Sequence, residues 1–353
     1  MKTLLGCCLI HLCIGSVYAL SVLYAPIMEV TGWSTSTLVQ GFALTILALG
    51  LTASFHQYIF DQYPKKSTLY LAVALWIIAQ TLGSIFIWGN LEPLYYFSSI
   101  LLGVAIGLLY VVPINIVTEY GYTHLGRANG AVVCCFGLGS VIASKLFVVV
   151  PLDKLMLLYG AYLVVMLVGI RLITCAGVVT VPSGFVRDRR WYILATIFFL
   201  NIGIGISLLS NLVHLSVNRG LDVSDAIWIV ALAGIANSGG RLVYAALTDY
   251  FPRKIVIDCV LWIQLIALTN IFWFGSDLWS VNVLAIISVY GGLFAIMPSL
   301  MKGLYGTTAA YSQVLSMWGL AGLICPILFS YVGASMLIVM SIITVLFITQ
   351  IRE

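Results

Sequence analysis

The sequence predicts an all-α polytopic membrane protein: twelve transmembrane helices arranged as two six-helix repeats. Three observations predict it. Of the 353 residues, 62% are apolar and only 8% are charged, against roughly 25% charged in a soluble domain. A chain so poor in polar residues cannot cover a water-facing surface, so much of its surface faces lipid. The apolar residues fall into twelve stretches of about 20 residues, each long enough to cross a bilayer as a helix. The first half of the chain then recurs, in register, in the second.

Taken in order, the predicted helices span 4–28, 35–58, 67–89, 93–118, 126–150, 155–178, 190–215, 223–247, 254–275, 279–301, 306–330 and 333–351. The first begins after Lys2 like a signal peptide. Its apolar run is too long for one and carries Gly15, Ser16 and Tyr18, which predicts a retained helix. The connecting loops are short, so consecutive helices run antiparallel, and none has room for a soluble domain. Basic residues set the orientation. With the N-terminus cytoplasmic, Lys2, Lys65, Lys66, Arg127, Arg187, Arg189, Arg190, Arg253, Lys254, Lys302 and Arg352 lie on the cytoplasmic side, and only Lys154 and Arg219 on the other. The expectation is a multi-pass plasma (inner) membrane protein with both termini inside.

The repeat fixes the domains. DQYPKK at Asp61 returns as DYFPRK at Asp249, an offset of 188, and the same offset aligns Gly32 with Gly220, Ser36 with Ser224, Ala43 with Ala231 and Leu44 with Leu232. GLxxxxP recurs at Gly107 and Gly292, and a GL(G/A) run at Gly137 and Gly319. This predicts an N-terminal six-helix bundle over 1–178, a short cytoplasmic linker over 179–189, and a C-terminal bundle over 190–353. Two such halves enclose a cavity at their interface and expose it to alternate sides by rocking. Glycine and proline in the fourth, fifth, tenth and eleventh helices permit close contact and bending.

Other classes are excluded by what is missing. The net charge of +4 is spread thinly and gives no nucleic-acid footprint. The cysteines form no CxxC pair and no cluster at zinc spacing. No His, Asp and Glu cluster at catalytic spacing points to an enzyme, and no metal or cofactor is implied. The expected partners are the bilayer and a small-molecule anion, with the protein monomeric.

The paired D-x-(Y/F)-P-(K/R)-K loops resemble those of the major facilitator superfamily, although the first copy lacks the family's leading glycine and one arginine. Within it, GSVYALSVLYAPIMEVTGWSTS (from Gly15), GVAIGLLYVVPINIVTEY (from Gly103), GRANGAVVCCFGLGS (from Gly126), NSGGRLVYAALTDYFPRK (from Asn237) and MWGLAGLICP (from Met317) are similar to the branch of oxalate/formate antiporters and monocarboxylate transporters. The resemblance implies a secondary transporter of a small carboxylate. There are two departures. Oxalate carriers place a lysine in the eleventh helix, where this chain reads SMWGLAG around Trp318. Monocarboxylate carriers often place an aspartate four residues before the helix 8 arginine, where this chain has Asn237, which does not titrate.

Arg241 is the leading candidate for substrate binding. A charge deep in a membrane helix is costly and faces a cavity or a partner, and guanidinium matches a carboxylate with a planar fork. Asn237 lies one turn away on the same face. Lys145 in the fifth helix has two readings: snorkelling to the outer interface, or a second anion contact. Arg171 reads as snorkelling. Tyr18, Tyr110 and Trp318 are expected to line the cavity, with Tyr24 and Tyr290 as further aromatic candidates. His214 and His11 are candidates for proton coupling, against the plainer reading of hydrogen-bonded structural histidines. Asp61, Glu119, Asp249 and Asp258 are expected to close an inner gate by salt bridges with Arg127, Arg253 and Lys254. The helix centres hold no carboxylate, which favours anion exchange, or a proton carried by a histidine or by the substrate acid. A carrier of another solute, such as a drug or amino acid, and a membrane sensor are the alternatives.

Overall fold

The computed structural model describes residues 1–60, 63–174, 187–273 and 278–350. Twelve helical segments cross the molecule: α1 (Lys2–Thr31), α2 (Thr35–Phe60), α3 (Lys65–Trp88), α4 (Glu92–Glu119), α5 (Leu125–Val149), α6 (Leu155–Leu172), α7 (Arg189–Ser210, followed by a short helix Leu212–Val217), α8 (Val223–Leu247), α9 (Arg253–Trp273), α10 (Trp279–Tyr305), α11 (Ala309–Val314 and Ser316–Val332) and α12 (Ala334–Ile348). Eleven are long and apolar enough to cross a bilayer. The twelfth, with 15 residues, is about 22 Å long.

Two boundaries differ from the sequence expectation by more than four residues, each for a visible reason. α6 stops at Leu172 rather than 178. There the Thr3 hydroxyl takes over, accepting from Thr174 N–H at 3.2 Å and meeting the Thr174 hydroxyl at 2.8 Å. α7 breaks at Asn211, whose side-chain amide donates to Ser207 O at 2.9 Å and so competes with the backbone ladder. α12 is shorter at its C-terminal end than expected. Inside α1, Gly15–Leu23 winds as a 3₁₀ helix of nine residues.

The repeat is visible in the packing. α1 packs on α4, α5 and α6, α2 on α4, and α3 on α4 and α6. Six helices later the same pairs return: α7 on α10, α11 and α12, α8 on α10, and α9 on α10 and α12. Turns repeat as well. Gly32 (φ 74°) after α1 and Gly220 (φ 86°) beyond α7 are both left-handed, at the offset of 188. Gly121 (φ 79°) and Gly306 (φ 69°), after α4 and α10, are left-handed at 185. Only glycine takes this conformation without a Cβ penalty. The expected linker falls largely in 175–186, outside the described residues.

The two six-helix sets meet along two seams, α5 against α8 and α2 against α11. Each seam has a close glycine contact, and the two are repeat mates. A Cβ on Gly137 would lie 2.1 Å from the Ser238 hydroxyl, and one on Gly50 would lie 2.7 Å from Gly319 N. Gly50 and Ser238 are 188 residues apart, and Gly137 and Gly319 are 182 apart. The seams are therefore related by a pseudo-twofold axis. α4 and α10, each broken into by an internal proline (Pro113 and Pro298), are the most buried helices and lie next to that axis.

Candidate functional site

Arg241, in α8, sits at the centre. It has no exposed surface. Nη1 donates to Val133 O of α5 at 3.1 Å, so the residue bridges the two sets. Its guanidinium lies 5.4 Å from the Phe136 ring of α5 and 5.3 Å from the Phe294 ring of α10, a cation–π sandwich. Nε and Nη2 have no partner, and among the described residues no carboxylate pairs with it. A buried charge without a counter-charge is expensive, and the free Nε/Nη2 edge is the side of the guanidinium that takes a carboxylate in two parallel hydrogen bonds.

Aromatic rings enclose this charge. Trp318 of α11 packs 4.9 Å from Phe294, 5.0 Å from Tyr110 and 6.0 Å from Phe136. Tyr18, on the 3₁₀ stretch of α1, lies 5.3 Å from Phe136 and 6.3 Å from Trp318, and its hydroxyl meets that of Tyr290 at 3.4 Å across the sets. His11 is 5.1 Å from Tyr110. Its Nδ1 bonds Cys7 O at 3.2 Å and its Nε2 has no partner. Asn237 is buried one turn from Arg241, with its carbonyl oxygen unpaired and pressed against Gly291 of α10. Thus Arg241, Asn237, Tyr18, Tyr110, Tyr290, Trp318 and His11 gather in one region.

Other candidates lie elsewhere. Lys145 is exposed. It is twelve residues beyond Val133 on α5, about 18 Å along the axis, so it does not reach Arg241. His214 is exposed on the short Leu212–Val217 helix, where it bonds Asn218 at 3.1 Å. The break at Asn211 takes it out of α7. Arg171 is exposed near the end of α6. Tyr24 lies in a separate cavity inside the first set.

The end of the molecule that carries most of the basic loops, here the basic end, holds further hydrogen bonds that join the sets. Asp249 caps the N-terminus of α5 from the other set, accepting from Gly126 N at 2.7 Å and Arg127 N at 2.9 Å, with the Arg127 side chain at 3.9 Å. Glu119 pairs with Lys65 of its own set and accepts from Thr308 of the other at 2.8 Å. Lys302 donates to Thr118 O. Not all the expected gate residues cross the seam. Lys254 pairs with Asp258 on its own helix at 2.7 Å, because i,i+4 neighbours are closer than the opposite set. Arg253 packs against Gly303 of α10. Asp61 lies outside the described residues.

Sequence reasoning missed several groups. Phe136 and Phe294, the two faces of the sandwich, are indistinguishable from packing residues in the sequence. One signal was available: Phe136 precedes Gly137 as Trp318 precedes Gly319, so the two rings are repeat mates. Also missed is a buried chain across the α2–α11 seam. His56 Nδ1 bonds Ala53 O at 2.9 Å, and Asn115 Nδ2 reaches both His56 Nε2 at 3.2 Å and Ser312 Oγ at 3.3 Å. Beside it, Ser54 donates to Gln313 O at 3.0 Å. The FHQY run at the end of α2 carried that signal.

Over 99% of the chain, FucP in its outward conformation superposes with a TM-score of 0.78 at 14% identity, with 97% of that chain covered. The chain has the major facilitator fold. The human organic anion transporter MFSD10 (TETRAN) matches at 0.74 and 14% identity, over 99% of this chain and 97% of that one. A bacterial homologue of the iron transporter ferroportin, outward-facing, matches at 0.75 and 15%, over 99% and 96%. In sequence the chain is 25% identical over 337 residues to YhjX of Escherichia coli (strain K12), an uncharacterized MFS-type transporter, covering 86% of this chain and 80% of the relative. No protein-family profile matches the chain.

Proposed function

We propose that this major facilitator protein is a secondary transporter of a small organic anion, a mono- or dicarboxylate, working by alternating access. One observation carries the substrate class: the fully buried Arg241, with its Nε/Nη2 edge unpaired and no acidic partner among the described residues. A carboxylate supplies both the missing charge and two acceptors. In this reading Tyr18, Tyr110 and Trp318 enclose the body of the substrate and Asn237 orients Arg241. The two six-helix sets rock about the centre, and the seams at the basic end form the gate that is closed in this conformation. The basic loops and both termini face the cytoplasm.

The test is thermal-shift screening of the purified protein against mono- and dicarboxylates, repeated on Arg241→Ala. A carboxylate is expected to stabilise the wild type and to lose its effect in the variant. Stabilisation by none of the panel overturns the substrate class, and stabilisation that persists in Arg241→Ala removes Arg241 from the site. A second reading, a carrier of a neutral ring-containing solute, draws on the same aromatic cage. It predicts stabilisation by such solutes and not by carboxylates.

A further inference from the structure

Away from the central site, the first six-helix set forms a partly open cavity of about 70 Å³ between α1, α2, α3, α4 and α6, in the half far from the basic end. Space of that size holds roughly five waters or one ring-sized molecule. Its wall combines aromatic rings (Tyr24, Tyr95 and Tyr159) with neutral polar groups (Thr45, Gln80 and Ser99), and among the described residues no charged side chain lines it.

The polar groups are prepared rather than satisfied. Gln80 is 8% exposed and lines the cavity, and its side chain has no hydrogen-bond partner among the described residues. Its amide atoms open onto the cavity, where a ligand can reach them. The hydroxyls of Thr45 and Ser99 donate to helix carbonyls, at 3.0 Å to Gly41 O and 2.9 Å to Tyr95 O. Their oxygens therefore remain as acceptors.

The second set is an internal control. At the repeat offsets of 188 and 185, Thr45 corresponds to Ala233, Gln80 to Leu268, Ser98 to Val283 and Ser99 to Leu284. Ala233, Leu268 and Val283 are fully buried core residues. The fold thus fills this place with hydrocarbon in one set, and nothing in its architecture requires polar groups there. Their presence in the first set, around open space, offers a polar ligand partners that the second set lacks at these positions.

We propose that this cavity is a second binding site, separate from Arg241, for a small neutral molecule that carries a hydroxyl on a compact apolar ring. The hydroxyl accepts from the Gln80 side-chain N–H and donates to the Ser99 or Thr45 oxygen, and the ring packs among the three tyrosines. A carboxylate is excluded because no cation answers it. The site does not depend on the transport reading.

Phenol is the probe, with toluene and benzoate as controls. Binding is followed by saturation-transfer NMR on the full chain in nanodiscs. Phenol is expected to bind saturably, with toluene and benzoate at least about tenfold weaker. Gln80→Leu and Ser99→Leu place the repeat mate's residue in the wall, and each is expected to weaken phenol about tenfold or more while thermal unfolding stays cooperative. Arg241→Ala is expected to leave phenol binding unchanged. No saturable binding to the wild type, undiminished binding in whichever of the two leucine variants folds, or binding lost with Arg241→Ala overturns the proposal.

Discussion

Replacing Asp249 by asparagine tests whether the seam at the basic end is held by one carboxylate. Asp249 is 6% exposed and accepts two backbone N–H bonds at 2.7 and 2.9 Å from the first turn of α5. Asparagine keeps the shape and one acceptor oxygen. It loses the charge, and it turns an NH₂ group towards one of the two donors. Hydrogen bonds to a charged group are worth about 1.5–3 kcal/mol, and a charge at a helix N-terminus adds up to about 1 kcal/mol at the surface and more when buried. Losing one such bond and the charge therefore costs about 2–3 kcal/mol of seam stability, a shift of about 30- to 150-fold in the closed-to-open ratio. Hydrogen–deuterium exchange over 122–130 reads this directly. If the seams open as a unit, exchange rises equally over 308–316, across the other seam, where Asn115 and Ser54 bond Ser312 and Gln313. Acceleration confined to 122–130 means that only a local cap was lost. Rates within threefold of wild type in both segments refute the assignment of Asp249 as the holder of the seam.

Neighbouring glycines in α8 should respond in opposite ways. A Cβ on Gly240 would lie 2.1 Å from Ser288 O, whereas one on Gly239 meets nothing within 4 Å. Gly240→Ala should lower thermal stability by about 1–3 kcal/mol and Gly239→Ala should leave it unchanged or raise it by up to about 1 kcal/mol; equal effects would contradict the α8–α10 packing. His56→Ala removes the acceptor for Asn115 Nδ2 and should cost about 1–3 kcal/mol, measured as a lower unfolding temperature than for the exposed His214→Ala. Before α7, burial works to raise the Asp188 carboxyl, but hydrogen bonds from Tyr305, Arg190 and the Trp191 amide outweigh it and hold it at about 2. A carboxyl held low contributes stability that is full above the unfolded value near 3.9 and is lost as the pH falls through about 2. The stability advantage of wild type over Asp188→Asn should follow that window, and Tyr305→Phe should move its acid limb to higher pH.

Much of the fold was legible because a bilayer allows few solutions. Backbone groups in lipid must be satisfied within the helix, so hydropathy finds the helices, and the offset of 188 pairs them. The helix ends at Thr174 and Asn211 were hidden because each is decided by a side chain that meets a backbone group. Arg241 stood out because a buried charge is rare. Its surroundings did not, since Phe136 and Phe294 differ from the other phenylalanines only in where they point. Lys145 and His214 show the limit of reading polar residues along an apolar stretch. The sequence gives their presence in a span, but exposure depends on which way a helix end faces and where the helix breaks. The charge pairing at the basic end was half legible. Acidic residues at helix ends were expected to find basic partners, and Asp249 meets Arg127 across the seam, while Lys254 pairs with Asp258 on its own helix.

The nine residues of 3₁₀ winding in α1 set up a screw. Each residue there turns by about 20° more and rises by about 0.5 Å more than in an α-helix. Rewinding Gly15–Leu23 as α-helix would shorten α1 by about 4.5 Å and rotate its far end by about half a turn. Tyr18 lies in the middle of that stretch, so its hydroxyl would leave Tyr290 with no movement of either six-helix set. A short change of helical pitch in one segment can thus withdraw one of the contacts that join the two halves at their centre, as a threaded bolt withdraws a latch.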